Sequence, residues 1–202
     1  MSLPILEADR LLLRQIVESD AEGLHAAYGD AEAMRFWNFP ATRTVAETAA
    51  LIKGAWAGGL VRHGVWTILK RAGPIVGMIN YHHREAHNRR LELGWIVVPA
   101  YWRQGIMTEA AHAVLRHCFN RMNTHRVEAL IEPENVASLV LAARLGFVQE
   151  SGLLRDRLFV SGAFRSVQMY ALLKSDWVNR DSEGAVPSWH RASGRSPGII
   201  SS

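Results

Sequence analysis

The sequence predicts a mixed α/β (α+β) fold in one domain, a sheet covered by helices, and three observations carry that reading. Two capping-box signals near the N-terminus open two successive helices. Two apolar runs then flank Arg71-Ala-Gly-Pro74, which is hairpin punctuation. Beyond it, the run Leu91 to Val98 passes through a short turn into another helix and starts a strand and helix alternation. With 202 residues, 49% hydrophobic and 21% charged, the chain can bury a single core.

Leu11-Leu-Leu-Arg-Gln-Ile16 reads as the first strand. In Ser19-x-x-Glu22 and Thr44-x-x-Glu47 a hydroxyl and a carboxylate stand where they satisfy helix-start N–H groups, which predicts helices over about 20–28 and 45–57. Val65 to Lys70 and Ile75 to Tyr81 form the hairpin. The polar stretch His82 to Arg90 reads as a basic loop leading to the strand that carries Glu92. A helix from about Gln104 to Arg121, a strand from about Arg126 to Glu132, a helix from about Val136 to Leu145 and two terminal strands complete the order. After Trp177 the composition turns to Ser, Gly, Pro, Asn and Arg, so the domain is expected over 1–177 and a mobile tail over 178–202. Val186, Trp189, Ile199 and Ile200 leave open a tail that folds over a partner subunit in a homodimer.

No apolar run approaches the roughly 18 residues of a membrane helix, and Glu7 and Asp9 do not fit a signal peptide. The chain reads as cytoplasmic, without a membrane partner. Cys118, the single cysteine, falls on an apolar helix stripe and reads as a small buried hydrophobe. The net charge of +4 and pI near 9.6 raise the question of nucleic acid. Residues 1–53 hold eight acids against five Lys and Arg, a balance of −3 that leaves +7 for the rest. Arg103, Arg116, Arg121, Arg126 and Arg144 of that second part suit a ligand with several phosphates. No zinc-finger spacing or aromatic RNA-binding motif occurs, so nucleic acid is not read as the primary partner. His82, His83 and His87 lack a cysteine or carboxylate at a recognised ligand spacing, and no metal is expected.

The strand 91–98 and the turn Tyr101-Trp-Arg-Gln-Gly105 open a helix, which is the layout of a phosphate cradle. Helix-start N–H groups have no intrahelical partner, the dipole adds positive charge, and Gly105 lets an anion approach the backbone. No G-x-x-x-x-G-K-[ST] and no G-x-G-x-x-G after a strand is present, which removes the usual support for nucleotide hydrolysis and nicotinamide binding. Trp102-Arg-Gln-Gly105-Ile-Met107 resembles the pyrophosphate loop [QR]-x-x-G-x-[GA] of the GCN5-related N-acetyltransferases (GNAT), with Trp102 and Met107 departing from it. The leading Trp followed by Gly-x-x-Thr-Glu-Ala is similar to the ribosomal-protein N-acetyltransferase (Rim) branch. Asn135-Val-Ala-Ser138 to Leu145-Gly146-Phe147 resembles the family's second block, and Val167 to Trp177 its final strand.

The resemblance implies a mixed central sheet of about seven strands splayed between the fourth and fifth, flanked by about four helices. It also implies transfer of an acetyl group from acetyl-CoA to a primary amine by direct attack in a ternary complex, without metal. Backbone N–H groups of Gln104, Gly105, Ile106, Met107 and Thr108 then receive the pyrophosphate, with Arg103 adding charge. Ile96, Val97 and Val98 pair with the pantetheine arm and Asn135 contacts it. Arg144 is either a phosphate contact or an exposed helix cation. Alternation places Glu92 opposite Leu91, Leu93 and Trp95, so it is the first choice for the base or else a structural carboxylate, with Glu109 the weaker choice. Many family members place a Tyr acid seven positions after the Asn, where this chain has Ala142. Ser138 becomes the candidate acid, or else only a residue of the helix start. The expected acceptor is a protein or peptide N-terminal α-amine. The alternatives are a small amine (antibiotic, polyamine or amino acid) and a module that binds CoA without catalysis.

Overall fold

The computed structural model describes residues 2–56 and 62–182. Nine strands occur among them: β1 (Leu6–Glu7), β2 (Leu11–Gln15), β3 (Gly64–Lys70), β4 (Ile75–Glu85), β5 (Arg90–Val97), β6 (Arg126–Ile131), β7 (Val148–Gln149), β8 (Leu154–Val160) and β9 (Ala163–Leu173). The helices are α1 (Ala21–Tyr28), α2 (Val45–Trp56), α3 (Ile106–Arg121), α4 (Val136–Leu145) and α5 (Lys174–Ser182). The sheet runs β1-β2-β3-β4-β5-β6-β9-β7, and β8 pairs with β9. The β5 and β6 pair is parallel, whereas the other pairs among the described residues are antiparallel.

β5 stays on β4 out to Gly77↔Val97 but meets β6 only at Arg90, Leu91 and Glu92. Counted from β2, the fourth and fifth strands therefore part, which opens a gap along the second half of β5. Period-two alternation gives the sheet two apolar faces. Trp66, Ile68, Ile79, Tyr81, Leu91 and Leu93 pack with Ile106, Ala110, Val114 and Cys118 of α3. On the opposite face, Val65, Met78 and Ile96 pack with Leu24, Ala27 and Tyr28 of α1 and Ile52 of α2. Cys118 is fully buried, and its thiol is pushed up to about 12 by burial.

Three local expectations change. The start of α1 is set by Asp20 rather than by Ser19 and Glu22: the Asp20 carboxylate accepts from Val17 N–H at 3.0 Å and pairs with Arg14. Before α2, Thr44 accepts from Glu47 N–H at 3.1 Å as a cap should, but the Glu47 carboxylate turns to Arg43 N–H at 2.8 Å. The final strand ends at Leu173 and α5 follows it, so 178–182 of the expected mobile tail are helical. Trp177, 4% exposed, anchors α5 by ring contacts with Phe119 and His112 of α3. Residues 183–202, with Val186, Trp189, Ile199 and Ile200, lie outside the described residues, as does residue 57.

Candidate active site

Gly105 is the residue before α3, with φ 73° and ψ 6°, and no side chain caps the helix start. The first helical bond runs from Glu109 N–H to Gly105 O at 3.1 Å, so the N–H groups of Ile106, Met107 and Thr108 precede the ladder and are available to an anion. The need for glycine here is conformational, because a Cβ would meet nothing nearer than Arg10 Nη2 at 3.5 Å. Exposed Arg103 also has a left-handed φ, of 60°. Gln104 braces the loop with its side-chain N–H on Ala100 O at 3.1 Å.

Arg10, which sequence reading passed over, ties this loop to the sheet. It donates from Nη1 to Gln104 O at 3.2 Å, while its backbone N–H and Nε both reach the Glu109 carboxylate at 2.7 Å. Glu109 is 3% exposed and fully engaged by that clamp, so its role is to fix the cradle. The partners lie 99 positions apart, and no local pattern announces them.

Val98 N–H bonds Val76 O at 2.9 Å, which sets the parity of β5. In an antiparallel ladder alternate residues point their backbone groups to the same neighbour. Ile96 thus pairs with β4, and Val98 donates to β4 while its carbonyl accepts from Tyr101 N–H at 2.8 Å, so neither turns a backbone group to the gap as the resemblance implied. Trp95 and Val97 face the gap instead, and the Val97 carbonyl accepts from Trp102 Nε1–H at 2.8 Å. Across the gap, the Trp95 indole donates to Ser138 Oγ at 3.1 Å and leaves the hydroxyl proton available. Asn135 caps α4, its side chain accepting from Ser138 N–H at 3.2 Å. Ala142 is fully buried, so a tyrosine in that slot would need the core to open. Arg144 is exposed in the last turn of α4.

Glu92 lies on the face covered by α1 and α2, its side chain 15% exposed. β4 continues to Glu85, so His82 and His83 belong to a strand rather than to the expected loop. Three steps on β4 from His82 to Glu85 face two on β5 from Glu92 to Arg90, which is a β-bulge. His83 takes a left-handed φ of 48° there and swings to the same carboxylate as His82. His82 Nε2 is 3.3 Å and His83 Nδ1 3.2 Å from the Glu92 oxygens. Burial pushes the Glu92 carboxyl up, but hydrogen bonding and charge from His82 and then His83 outweigh it, and the net shift is downward. The structure thereby supplies the carboxylate that the histidines lacked in sequence, while His87 stays in the exposed turn beyond β4. Asn80, 3% exposed, stands on the same sheet face, its Oδ1 over Gly94.

Arg165 of β9 fastens the connection between α1 and α2 to the end of β6. It donates to Arg35 O at 2.9 Å in the α1 to α2 connection and to Glu132 Oε1 at 3.0 Å after β6. Arg35, Phe36, Glu132, Glu134 and Phe164 line a cavity at this junction. The acidic balance of residues 1–53 does not collect here: Glu7, Glu18, Asp20, Glu32 and Glu47 pair with Arg71, Lys53, Arg14, Arg35 and Arg43.

Residues 10–148 match the family described as "Acetyltransferase (GNAT) domain". The "Uncharacterized N-acetyltransferase YoaA" of Bacillus subtilis is 30% identical over 173 residues, covering 85% of this chain and 97% of the relative. The "[Ribosomal protein uS5]-alanine N-acetyltransferase" of Escherichia coli is 35% identical over 86 residues, 43% and 44% of the two chains. The "Spermidine N(1)-acetyltransferase" of the same organism is 23% identical over 171 residues, 85% and 90%. An acetyltransferase (GNAT family) crystal structure from Bacillus anthracis superposes with a TM-score of 0.75 at 25% identity, over 85% of this chain and 99% of that one. Among the described residues no helix is long and apolar enough to cross a membrane. With the parted strands, the left-handed glycine before α3 and this match over most of its length, the chain belongs to the GNAT acetyltransferase family.

Proposed function

We propose that the protein moves an acetyl group from acetyl-CoA to an α-amine at the N-terminus of a protein or peptide. The observation that carries the cofactor half is Gly105: a left-handed residue at an uncapped helix start, next to a strand whose neighbour has parted. The N–H groups of Ile106, Met107 and Thr108 hold the pyrophosphate, and exposed Arg103 adds charge-assisted contact. Trp95 and Val97 offer backbone groups to the pantetheine arm, and a backbone N–H here stabilises the oxyanion.

Glu92 accepts the amine proton, and Ser138, positioned by Trp95, hydrogen-bonds the departing thiolate. The α-amine follows from proton chemistry. At pH 7 an α-amine with a pKa near ~8 is about a tenth neutral, whereas a lysine at ~10.4 is neutral only at about the 10⁻³ to 10⁻⁴ level. One carboxylate base without a tyrosine is better matched to the former. The uS5-alanine relative supports the same class.

Thermal shift tests the cofactor half. Acetyl-CoA raises Tm of the wild type by mass action, and Gly105→Ala removes most of that rise. An L side chain held left-handed costs roughly 1 kcal/mol, so the variant itself melts a few degrees lower but still cooperatively. An undiminished acetyl-CoA shift in a folded Gly105→Ala would place the phosphates elsewhere.

A further inference from the structure

The bulge in β4 sets how His82 and His83 meet β5. Adjacent residues of a regular strand point to opposite faces, and a non-glycine residue in the left-handed region is strained in a way that recurs at functional sites. Here that strain places two imidazoles on one carboxylate. The three ligand atoms lie within 4.8 Å of one another, and the two His to Glu92 separations are 3.3 and 3.2 Å. Donors about 2.0–2.1 Å from a tetrahedral metal ion stand roughly 3.3 Å apart, and each histidine already stands at that separation from one Glu92 oxygen, His82 from Oε2 and His83 from Oε1, so a small turn of the carboxylate or of one ring completes the set. Two imidazoles and one carboxylate are a borderline-soft set suited to zinc-class ions. His83 is 71% exposed and gives solvent access for further ligands. A second observation is independent of this spacing: His82 Nδ1 and the neighbouring Asn80 Oδ1 are buried without a hydrogen-bond partner. Unmatched buried polar atoms of this kind mark places built around an ion or a reacting group.

We propose that His82, His83 and Glu92 form a binding site for a zinc-class divalent cation, and that its occupancy inhibits acetyl transfer. The binding half stands on geometry alone. The inhibitory half rests on Glu92 as the base, because a carboxylate coordinating a cation cannot also take a proton from the amine.

The test uses the full chain without a histidine tag, stripped of metal and free of CoA, titrated with Co²⁺. The expected result is one equivalent of saturable visible d–d absorption, lost in His83→Gly and in Glu92→Gln and kept in His87→Ala. Glycine is chosen at 83 because it accepts the left-handed backbone, and unchanged Tm values confirm that the variants are folded. Absence of a saturable spectrum in the wild type, its persistence in His83→Gly, or its loss in His87→Ala would overturn the site. In a parallel assay, the Zn²⁺ concentration that halves activity is at least roughly tenfold higher for His83→Gly than for the wild type, since even disturbing the groups around a metal ligand costs about 10–100-fold in affinity. A bound Co²⁺ spectrum without zinc inhibition would overturn the inhibitory half and the Glu92 base together, while leaving the acetyl-CoA cradle intact.

Discussion

Glu92→Gln lowers kcat by roughly 100-fold or more near neutral pH and leaves acetyl-CoA affinity unchanged, the usual scale for losing a positioned base. The two readouts separate because the groups sit on different elements. Glu92 belongs to β5 on the face toward α1 and α2, whereas the proposed phosphate cradle is the start of α3, clamped by Arg10 and Glu109. Glutamine keeps the length of the side chain; its one oxygen accepts from one histidine and its NH2 donates to the unprotonated ring nitrogen of the other, so the variant removes proton acceptance with little change in packing. Steady-state rates with a peptide acceptor, alongside acetyl-CoA titration calorimetry, give both numbers. A kcat within about threefold of wild type would make Glu92 a structural partner of the two histidines. Ser138→Ala has a smaller effect, because solvent can protonate a thiolate.

The largest effect on stability is expected at Asp20. Its carboxylate is 3% exposed and binds Arg14 through both oxygens, Val17 N–H at 3.0 Å and Thr67 Oγ1 at 2.7 Å. These contacts fasten the start of α1 to β2 and β3, and thereby set the helix that covers the Glu92 face. Asp20→Ala leaves a cation and a hydroxyl without their partner. The loss is roughly 3 kcal/mol, the lower end for a broken buried pair because Arg14 keeps 32% of its side chain in solvent. For a chain of this size that corresponds to a fall in Tm of roughly 6–12 °C. Burial alone pushes the Asp20 carboxyl up, but Arg14, Val17 and Thr67 hold it below its usual value. A depressed folded-state pKa stabilises above the unfolded value of about 3.9 and stops doing so as pH falls through the folded value. The difference between wild type and variant in urea unfolding is therefore constant from about pH 8 to 5 and shrinks below about pH 4. A loss under about 1 kcal/mol would show that the pair is dispensable.

Much of the cofactor side is legible in sequence because it is local. Gly105 and the helix after it lie within one short stretch, and the Asn135 to Ser138 cap uses neighbouring residues. The acceptor side is less legible, for identifiable reasons. His82 and His83 carry no apolar alternation, so they read as loop, yet pairing with β5 continues the strand through Glu85↔Arg90. The bulge that aims His83 is a tertiary feature, since it depends on register against a second strand. Arg10 with Glu109, Trp95 with Ser138, and Arg165 with Glu132 join residues 99, 43 and 33 positions apart. Parity is subtler still. The strand beside the gap is legible, but which of its residues turn their backbone groups outward depends on one bond, Val98 to Val76. The net acidity of residues 1–53 says little about the acceptor side because charge counts ignore pairing, and five of those acids are held by cations.

The most direct test of acetyl transfer to an α-amine is a side-by-side assay at pH 7 with mass readout. It compares peptides with free N-termini, ribosomal-protein sequences among them, with N-blocked peptides bearing internal lysine, and with spermidine. The free N-terminal peptides are expected to be acetylated at the α-amine at least about tenfold faster than either competitor, following the neutral fractions of the amines. Equal or faster acetylation of the blocked lysine peptides or of spermidine would contradict the α-amine assignment, and no acetylation of any amine would contradict the enzyme itself.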